Sequence, residues 1–239
     1  MRKILIAGAN SGIAQSLIDL LHRQNHTLFL ISRNPDKLKS AGGHSFNDIC
    51  FQFDFANPSA IKTTLNDFLQ EKGPFDGVVY FPGVMKIEKL SKTTPNKILD
   101  IFNVNYFSFV ELLRCVMLLK PAEHQMRVVA LSSALLRTGR YTAAYASSKA
   151  ALNSFIKSTA FELIKKNCYV NAVCPACVDT SMLDLNCLLD PDFKENIKDS
   201  QLLGLIPPEA VAYEINHLLS KPMPYETGTC IEINGGAGL

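Results

Sequence analysis

Neither sign of charge dominates this chain. Its 239 residues carry 24 Lys+Arg against 22 Asp+Glu, and the basic residues are scattered rather than clustered. That leaves no electrostatic footprint for nucleic acid. Long apolar runs are also missing. None approaches the roughly 18–20 residues needed to span a bilayer, and the longest, Val104 to Leu119, is interrupted by Asn105, Glu111 and Arg114. The apolar stretch after Met1-Arg2-Lys3 stops at Gly8, too early for an export signal. No disulfide framework is visible: the 7 cysteines are odd in number, sit mostly among apolar neighbours, and read as free thiols of a reducing cytoplasm. Repeats, low-complexity stretches and linkers are absent, and a chain 47% hydrophobic with 19% charged residues is not disordered.

What is present is an alternation of short aliphatic runs with longer helical patterns. The expected strands are Lys3–Ala7, Thr27–Ser32, Ile49–Phe53, Gly77–Phe81, Arg127–Ser132, Tyr169–Cys174 and Thr229–Ile233. Several are apolar on both faces, as strands of a parallel sheet covered by helices should be. Asn34-Pro35, Asn57-Pro58, Thr94-Pro95 and Asp190-Pro191 each pair an N-cap residue with proline at the first helical position. After Gly12, residues Ile13, Leu17, Ile18, Leu20 and Leu21 form an apolar helical face. The expectation is an α/β, Rossmann-like doubly wound fold. It has one domain over 1–239 and a seven-stranded parallel sheet flanked by helices. Ligands of such folds bind beyond the C-terminal strand ends.

The first strand runs into Gly8-Ala9-Asn10-Ser11-Gly12-Ile13-Ala14, which opens a helix. Glycine allows a tight turn and close backbone approach, and a helix N-terminus offers N–H groups and partial positive charge to a pyrophosphate. The spacing departs from the standard G-x-G-x-x-G, so the loop is also compatible with a plain turn. The second strand ends in Ser32-Arg33-Asn34, with no acid for a ribose 2′-hydroxyl. Arg33 suits a 2′-phosphate instead, which favours NADP (NADPH) over NAD. After the third strand, Asp54 and Phe55 are placed to edge the adenine, or Asp54 begins the next helix.

Tyr145-Ala146-Ser147-Ser148-Lys149 sets a phenol and an ammonium four residues apart on one helical face. The ammonium is expected to favour phenolate, which would bring the tyrosine toward working pH as a proton donor to a carbonyl oxygen. Upstream, Val128 to Leu131 is a buried strand that ends in Ser132-Ser133. With these residues in place, the chain resembles the short-chain dehydrogenase/reductase family along nearly its whole length. The resemblance rests on Gly8/Gly12, Arg33, Asp54, Asn105, the serine pair, Tyr145/Lys149, Pro175–Thr180 and Asn234-Gly235-Gly236, in family order. In shape it is similar to 3-oxoacyl-acyl-carrier-protein reductases, although Leu205 stands where those enzymes often carry arginine.

The resemblance implies an NADPH-dependent reduction of a ketone or aldehyde to an alcohol, on a small-molecule substrate. Tyr145 would be the general acid, Lys149 would lower its pKa and bind the nicotinamide ribose, and a serine would orient the carbonyl. Asn105 would hold a water linking Lys149 to solvent, with Asn103 as the nearby rival. Gly83, Pro175, Val178 and Thr180 would join Gly8, Asn10, Ser11, Gly12 and Ile13 around the cofactor. The family's usual serine-to-tyrosine spacing selects Ser132. Strand alignment with Gly139 selects Ser133, which we take as catalytic, with a one-residue deletion before Tyr145. Segment 181–206 would form a lid, and helices Asn96–Leu119 and Ala143–Lys166 a homodimer or homotetramer interface.

The sequence departs from the family at Tyr80-Phe81-Pro82-Gly83, where the usual asparagine motif keeps only its glycine, and at Ala14 and Ala176, each in place of a glycine. The first departure motivates a rival reading as a nonenzymatic NADP sensor or scaffold. Cys174-Pro175-Ala176-Cys177 raises a second rival, a dithiol redox or metal motif, but it lacks a second such pair or nearby histidines. No metal is expected.

Arg33→Ala is expected to reduce the ratio of NADPH to NADH affinity by about tenfold or more, the worth of a hydrogen bond to a charged group. Fluorescence titration with both nucleotides measures it, and an unchanged ratio removes Arg33 from the phosphate site.

Overall fold

The computed structural model describes residues 1–40, 48–134, 141–184, 197, 199–222 and 225–237. Seven parallel strands form one sheet in the order β3-β2-β1-β4-β5-β6-β7. They are β1 (Lys3–Ala7), β2 (Thr27–Ser32), β3 (Ile49–Gln52), β4 (Gly77–Tyr80), β5 (Met126–Leu131), β6 (Cys168–Pro175) and β7 (Cys230–Ile233). The helices whose full range lies among the described residues are α1 (Gly12–Arg23), α2 (Pro35–Ser40), α3 (Ala60–Lys72), α4 (Pro95–Phe102), α5 (Ser108–Leu119), α6 (Ala143–Ile164) and α7 (Pro208–Ser220). A π-helical turn, Asn103–Phe107, joins α4 to α5. The expected α/β doubly wound architecture is therefore the observed one.

Strand periodicity explains why the sheet is covered on both faces. In β1 and β2, Leu5, Ala7, Phe29 and Ile31 enter one core with residues of α3, α5 and α6. Their neighbours Ile4, Ile6, Leu28 and Leu30 enter the other, with α1 and α7. Successive side chains point to opposite faces, so each strand must be apolar throughout. Burying each such aliphatic side chain contributes about 1.5–3 kcal/mol. The strand order reverses beside β1, whose neighbours are β2 and β4. A ligand crevice is expected where the order reverses.

Helix starts follow their chemistry at two sites. Thr94 caps α4 by accepting from the Lys97 amide, with Pro95 at the first position. Asn34 accepts similarly from Lys37 at the start of α2. Asn57-Pro58 does not start a helix. The Asn57 carbonyl accepts from Ala60 in a turn, Ser59 donates to the Asn57 side chain, and α3 begins only at Ala60. Asp190-Pro191 and Gly139 lie outside the described residues, as does half of the expected lid, 185–196 and 198. The described ends of that segment are anchored: Leu183 and Ile197 pack on Cys177.

The continuous helical stretch Pro95–Leu119 spans 25 residues and is long and apolar enough by composition to cross a membrane. Half of its most apolar window is buried, with Phe109, Leu112, Leu113 and Val116 in the core against the sheet. Packing accounts for the buried half of that window.

Candidate active site

The nucleotide end is built at the C-terminal edge of β1. Gly8 takes φ +76°, and a Cβ there would lie 2.9 Å from the Pro82 ring. Only glycine fits this position, because both conformation and space exclude a side chain. Ser11 caps α1 by accepting from the Ala14 amide at 3.2 Å. One orphan donor is satisfied, and the rest of the first turn remains at the positive end of the helix dipole. Asn10 ties the loop to the end of β2 by donating to the Asn34 carbonyl at 2.8 Å. A Cβ on Gly12 would meet the Thr180 methyl at 3.3 Å, so the loop after β6 closes directly over this helix start. Ile13 of the same turn is buried.

Arg33 is exposed beyond β2, and its carbonyl accepts from the Gln52 side chain. Asp54 is also exposed, and its carboxylate accepts from the Ala56 amide. That bond closes a turn six residues before α3 begins at Ala60. Phe55 is withdrawn from the crevice: its ring packs edge-on against Phe53 and Tyr80 in the core. Opposite, Pro175 ends β6, and its carbonyl accepts from Ala134. Val178 is buried and bridged to Ile206, and Thr180 lies two residues on.

Gln201 had no sequence signal, yet it holds this loop. Only 1% exposed, its side chain accepts from the Cys177 amide and donates to the Cys177 and Gly204 carbonyls. Both thiols of the Cys174–Cys177 pair are held protonated. Hydrogen bonding to Cys230 and burial raise Cys174, and burial raises Cys177 to about 11. Neither suits a reactive dithiol. Among the described residues, no group of three or more His, Cys, Asp or Glu could hold a metal ion.

At the reaction end, β5 stops at Leu131 and the two serines diverge. Ser132 is buried and donates to the Lys149 carbonyl at 3.4 Å, while Ser133 hydrogen-bonds the Tyr145 phenol. Tyr145 and Lys149 sit one turn apart on α6, with the Lys149 ammonium 6.0 Å from the Tyr145 ring centroid. That ammonium is almost fully buried and donates to the Leu131 carbonyl at 2.7 Å. Burial pushes its pKa down to about 8. Burial likewise pushes the Tyr145 phenol up, opposed by the Ser133 hydrogen bond. The expected depression of Tyr145 by Lys149 is therefore not observed. Desolvation is the largest cause, and the ammonium's short bond goes to the backbone of β5 instead.

Asn105 is fully buried in the π-helical turn. Its amide donates to the Val84 carbonyl and the Ser148 hydroxyl, and its oxygen accepts from the Val84 amide at 2.8 Å. Ser148 in turn donates to the Tyr145 carbonyl at 2.7 Å. Asn103, the rival, instead gives its backbone carbonyl to Ser108. Gly83 lies between the two polar groups: a Cβ there would be 3.5 Å from the Lys149 ammonium and 3.8 Å from the Asn105 oxygen. Ser148 carries no motif of its own, but its position three residues after Tyr145 puts it on the same helical face.

The Lys149 pKa has a stability consequence. Lowered from the ordinary 10.5 to about 8, it makes the unfolded chain bind more protons than the folded one between those values. This group therefore adds stability as pH rises through that window, and the contribution is lost as pH falls through about 8. Lys149→Met is expected to flatten the rise, measured by urea unfolding at several pH values from 8 to 10.5. Parallel pH slopes in the two proteins would contradict the buried ammonium.

With this geometry established, similarity to known proteins is informative. A family model described as short chain dehydrogenase matches residues 2–186. A carbonyl reductase family member 4 from Xenopus laevis is 26% identical over 243 residues, covering 98% of this chain and 97% of the relative. A 3-oxoacyl-acyl-carrier-protein reductase from Aggregatibacter actinomycetemcomitans is 26% identical over 246 residues, covering 98% of each. Among solved structures, 4-hydroxyisoleucine dehydrogenase complexed with NADH has the same fold. Its TM-score is 0.90 at 24% identity, over 99% of this chain and 98% of that one. ElxO with NADP bound gives a TM-score of 0.88 at 22% identity, with coverage of 99% and 98%. The chain belongs to the short-chain dehydrogenase/reductase family and is an oxidoreductase.

Proposed function

We propose that this oxidoreductase reduces a ketone or aldehyde to an alcohol at the expense of NADPH, with Tyr145 as general acid. One observation carries the proposal. The Tyr145 phenol, the Ser133 hydroxyl and the buried Lys149 ammonium converge at the C-terminal end of β5, beside Gly83, where a Cβ would lie 3.5 Å from the ammonium. Gly8, Asn10, Ser11, Gly12, Ile13 and Thr180 would hold the pyrophosphate side of the nucleotide, with Val178 and Pro175 toward its carboxamide. Arg33 would meet the 2′-phosphate, with Asp54 and the backbone of Phe55 near the adenine. When bound, the nicotinamide supplies the hydride that reduces the carbonyl carbon.

Ser133 would orient the carbonyl oxygen, and Tyr145 would give that oxygen its phenolic proton. A raised pKa suits this direction, because the phenol arrives protonated at neutral pH. Lys149, at about 8, then stabilises the phenolate and returns a proton to it. Asn105 and Ser148 fix the backbone of this helical turn. Segment 181–206 would cover the substrate. Exposed Leu99, Leu118, Phe161 and Ile164 on α4, α5 and α6 fit a homodimer or homotetramer.

The altered Tyr80–Gly83 segment is what motivates the rival reading as a nonenzymatic NADP sensor or scaffold, and the intact Tyr145/Lys149 pair argues against it. NADPH oxidation, followed optically with a panel of ketones and aldehydes, separates the two. Tyr145→Phe is expected to cut kcat by about 10²–10⁴, the usual worth of general acid catalysis. Nucleotide binding without turnover on any of the panel would support the sensor.

A further inference from the structure

The residue that replaces the family's first asparagine is fully buried. Tyr80 ends β4, and its ring packs against Phe55 and Phe109 at centroid distances of 5.4 Å. Its hydroxyl donates to the Val104 carbonyl at 2.6 Å. Val104 belongs to the π-helical turn and immediately precedes Asn105. In an α-helix the Ser108 amide would bond the Val104 carbonyl; in this turn it bonds Asn103 instead. The Val104 carbonyl thereby loses its α-helical donor, and a buried carbonyl needs one, because leaving it unsatisfied costs about 1–3 kcal/mol. The phenol is that donor. Burial raises its pKa far beyond neutrality, so it keeps its proton.

Resting on the carbonyl-reductase reading, in which Asn105 supports the reacting groups, we propose that Tyr80 is a positioning residue. Its phenol clamps the π-helical turn from the sheet side and so sets the Asn105 side chain against Val84, Gly83 and Ser148. A tyrosine reaches this carbonyl from the end of β4 and accepts the core environment there. The end of the same segment extends the contact: Pro82 lies against Gly8 of the nucleotide loop, and Gly83 lies between Asn105 and Lys149. The departure from the family motif thus installs a different clamp.

Amide hydrogen exchange tests the clamp without any substrate, because the Val84 amide is held by the Asn105 oxygen. Tyr80→Phe removes one oxygen atom. It is expected to speed Val84 exchange about fivefold, the worth of one net hydrogen bond, while β5 amides keep their rates. Phe109→Leu, which loosens packing on the same ring but keeps the phenol, is the control. It should lower the melting temperature and change Val84 exchange by less than about twofold. Unchanged Val84 exchange in Tyr80→Phe, or equal acceleration in Phe109→Leu, would overturn the proposal. In turnover, Tyr80→Phe should lower kcat about fivefold with KM for NADPH unchanged. It should have no further effect in an Asn105→Ala background, and additive losses would count against positioning. A wild-type protein that exchanges as expected but turns over no carbonyl would refute the catalytic reading and leave the clamp standing.

Discussion

An ammonium group is strongly hydrated in water, and burying one is costly unless hydrogen bonds replace that hydration. Lys149 is only 2% exposed, and its ammonium donates to the Leu131 carbonyl where β5 ends. That bond ties α6 to the end of β5, beside Ser133, Tyr145 and Gly83. The cost of burial is expressed as a pKa lowered to about 8, which converts a surface-type cation into a group able to exchange protons near neutrality. The raised Tyr145 phenol has the same origin. Desolvation therefore sets both members of the pair.

The reacting and nucleotide ends are joined through a single short segment. Pro82 presses on Gly8, Gly83 leaves room between Asn105 and Lys149, and Tyr80 reaches the π-helical turn that carries Asn105. On the far side, Gln201 ties Cys177 to Gly204, and Thr180 approaches Gly12. Four separate loops are thereby braced by buried hydrogen bonds and close contacts at the C-terminal edge of the sheet. Such a site is preorganised, because its polar groups already have fixed partners before any ligand arrives.

Much of this was legible in the chain. β1 and β2 have the expected bounds, because an aliphatic run apolar on both faces has one clear reading. β5 and β6 begin one residue early, at Met126 and Cys168, since a buried strand continues past its β-branched stretch. Asn57-Pro58 misled because a capping residue before proline also describes an isolated turn. Phe55 was assigned to the crevice by its neighbour Asp54, but strand alternation continues into the turn and turns the ring inward. The roles of Tyr80, Ser148 and Gln201 are not legible in the chain for a common reason. Their partners are the carbonyl of Val104, the side chain of Asn105 and the backbone of Cys177, none of which local sequence brings near.

The central claim is that this arrangement moves a hydride to a carbonyl carbon and a proton to its oxygen. NADPH deuterated at the transferred position of the nicotinamide, incubated with the protein and reactive ketones, tests it most directly by NMR of the product. The account predicts an alcohol with deuterium on its carbinol carbon, formed about 10²–10⁴ times more slowly with Tyr145→Phe. Tight NADPH binding with no deuterium reaching any of a broad set of ketones and aldehydes would contradict it.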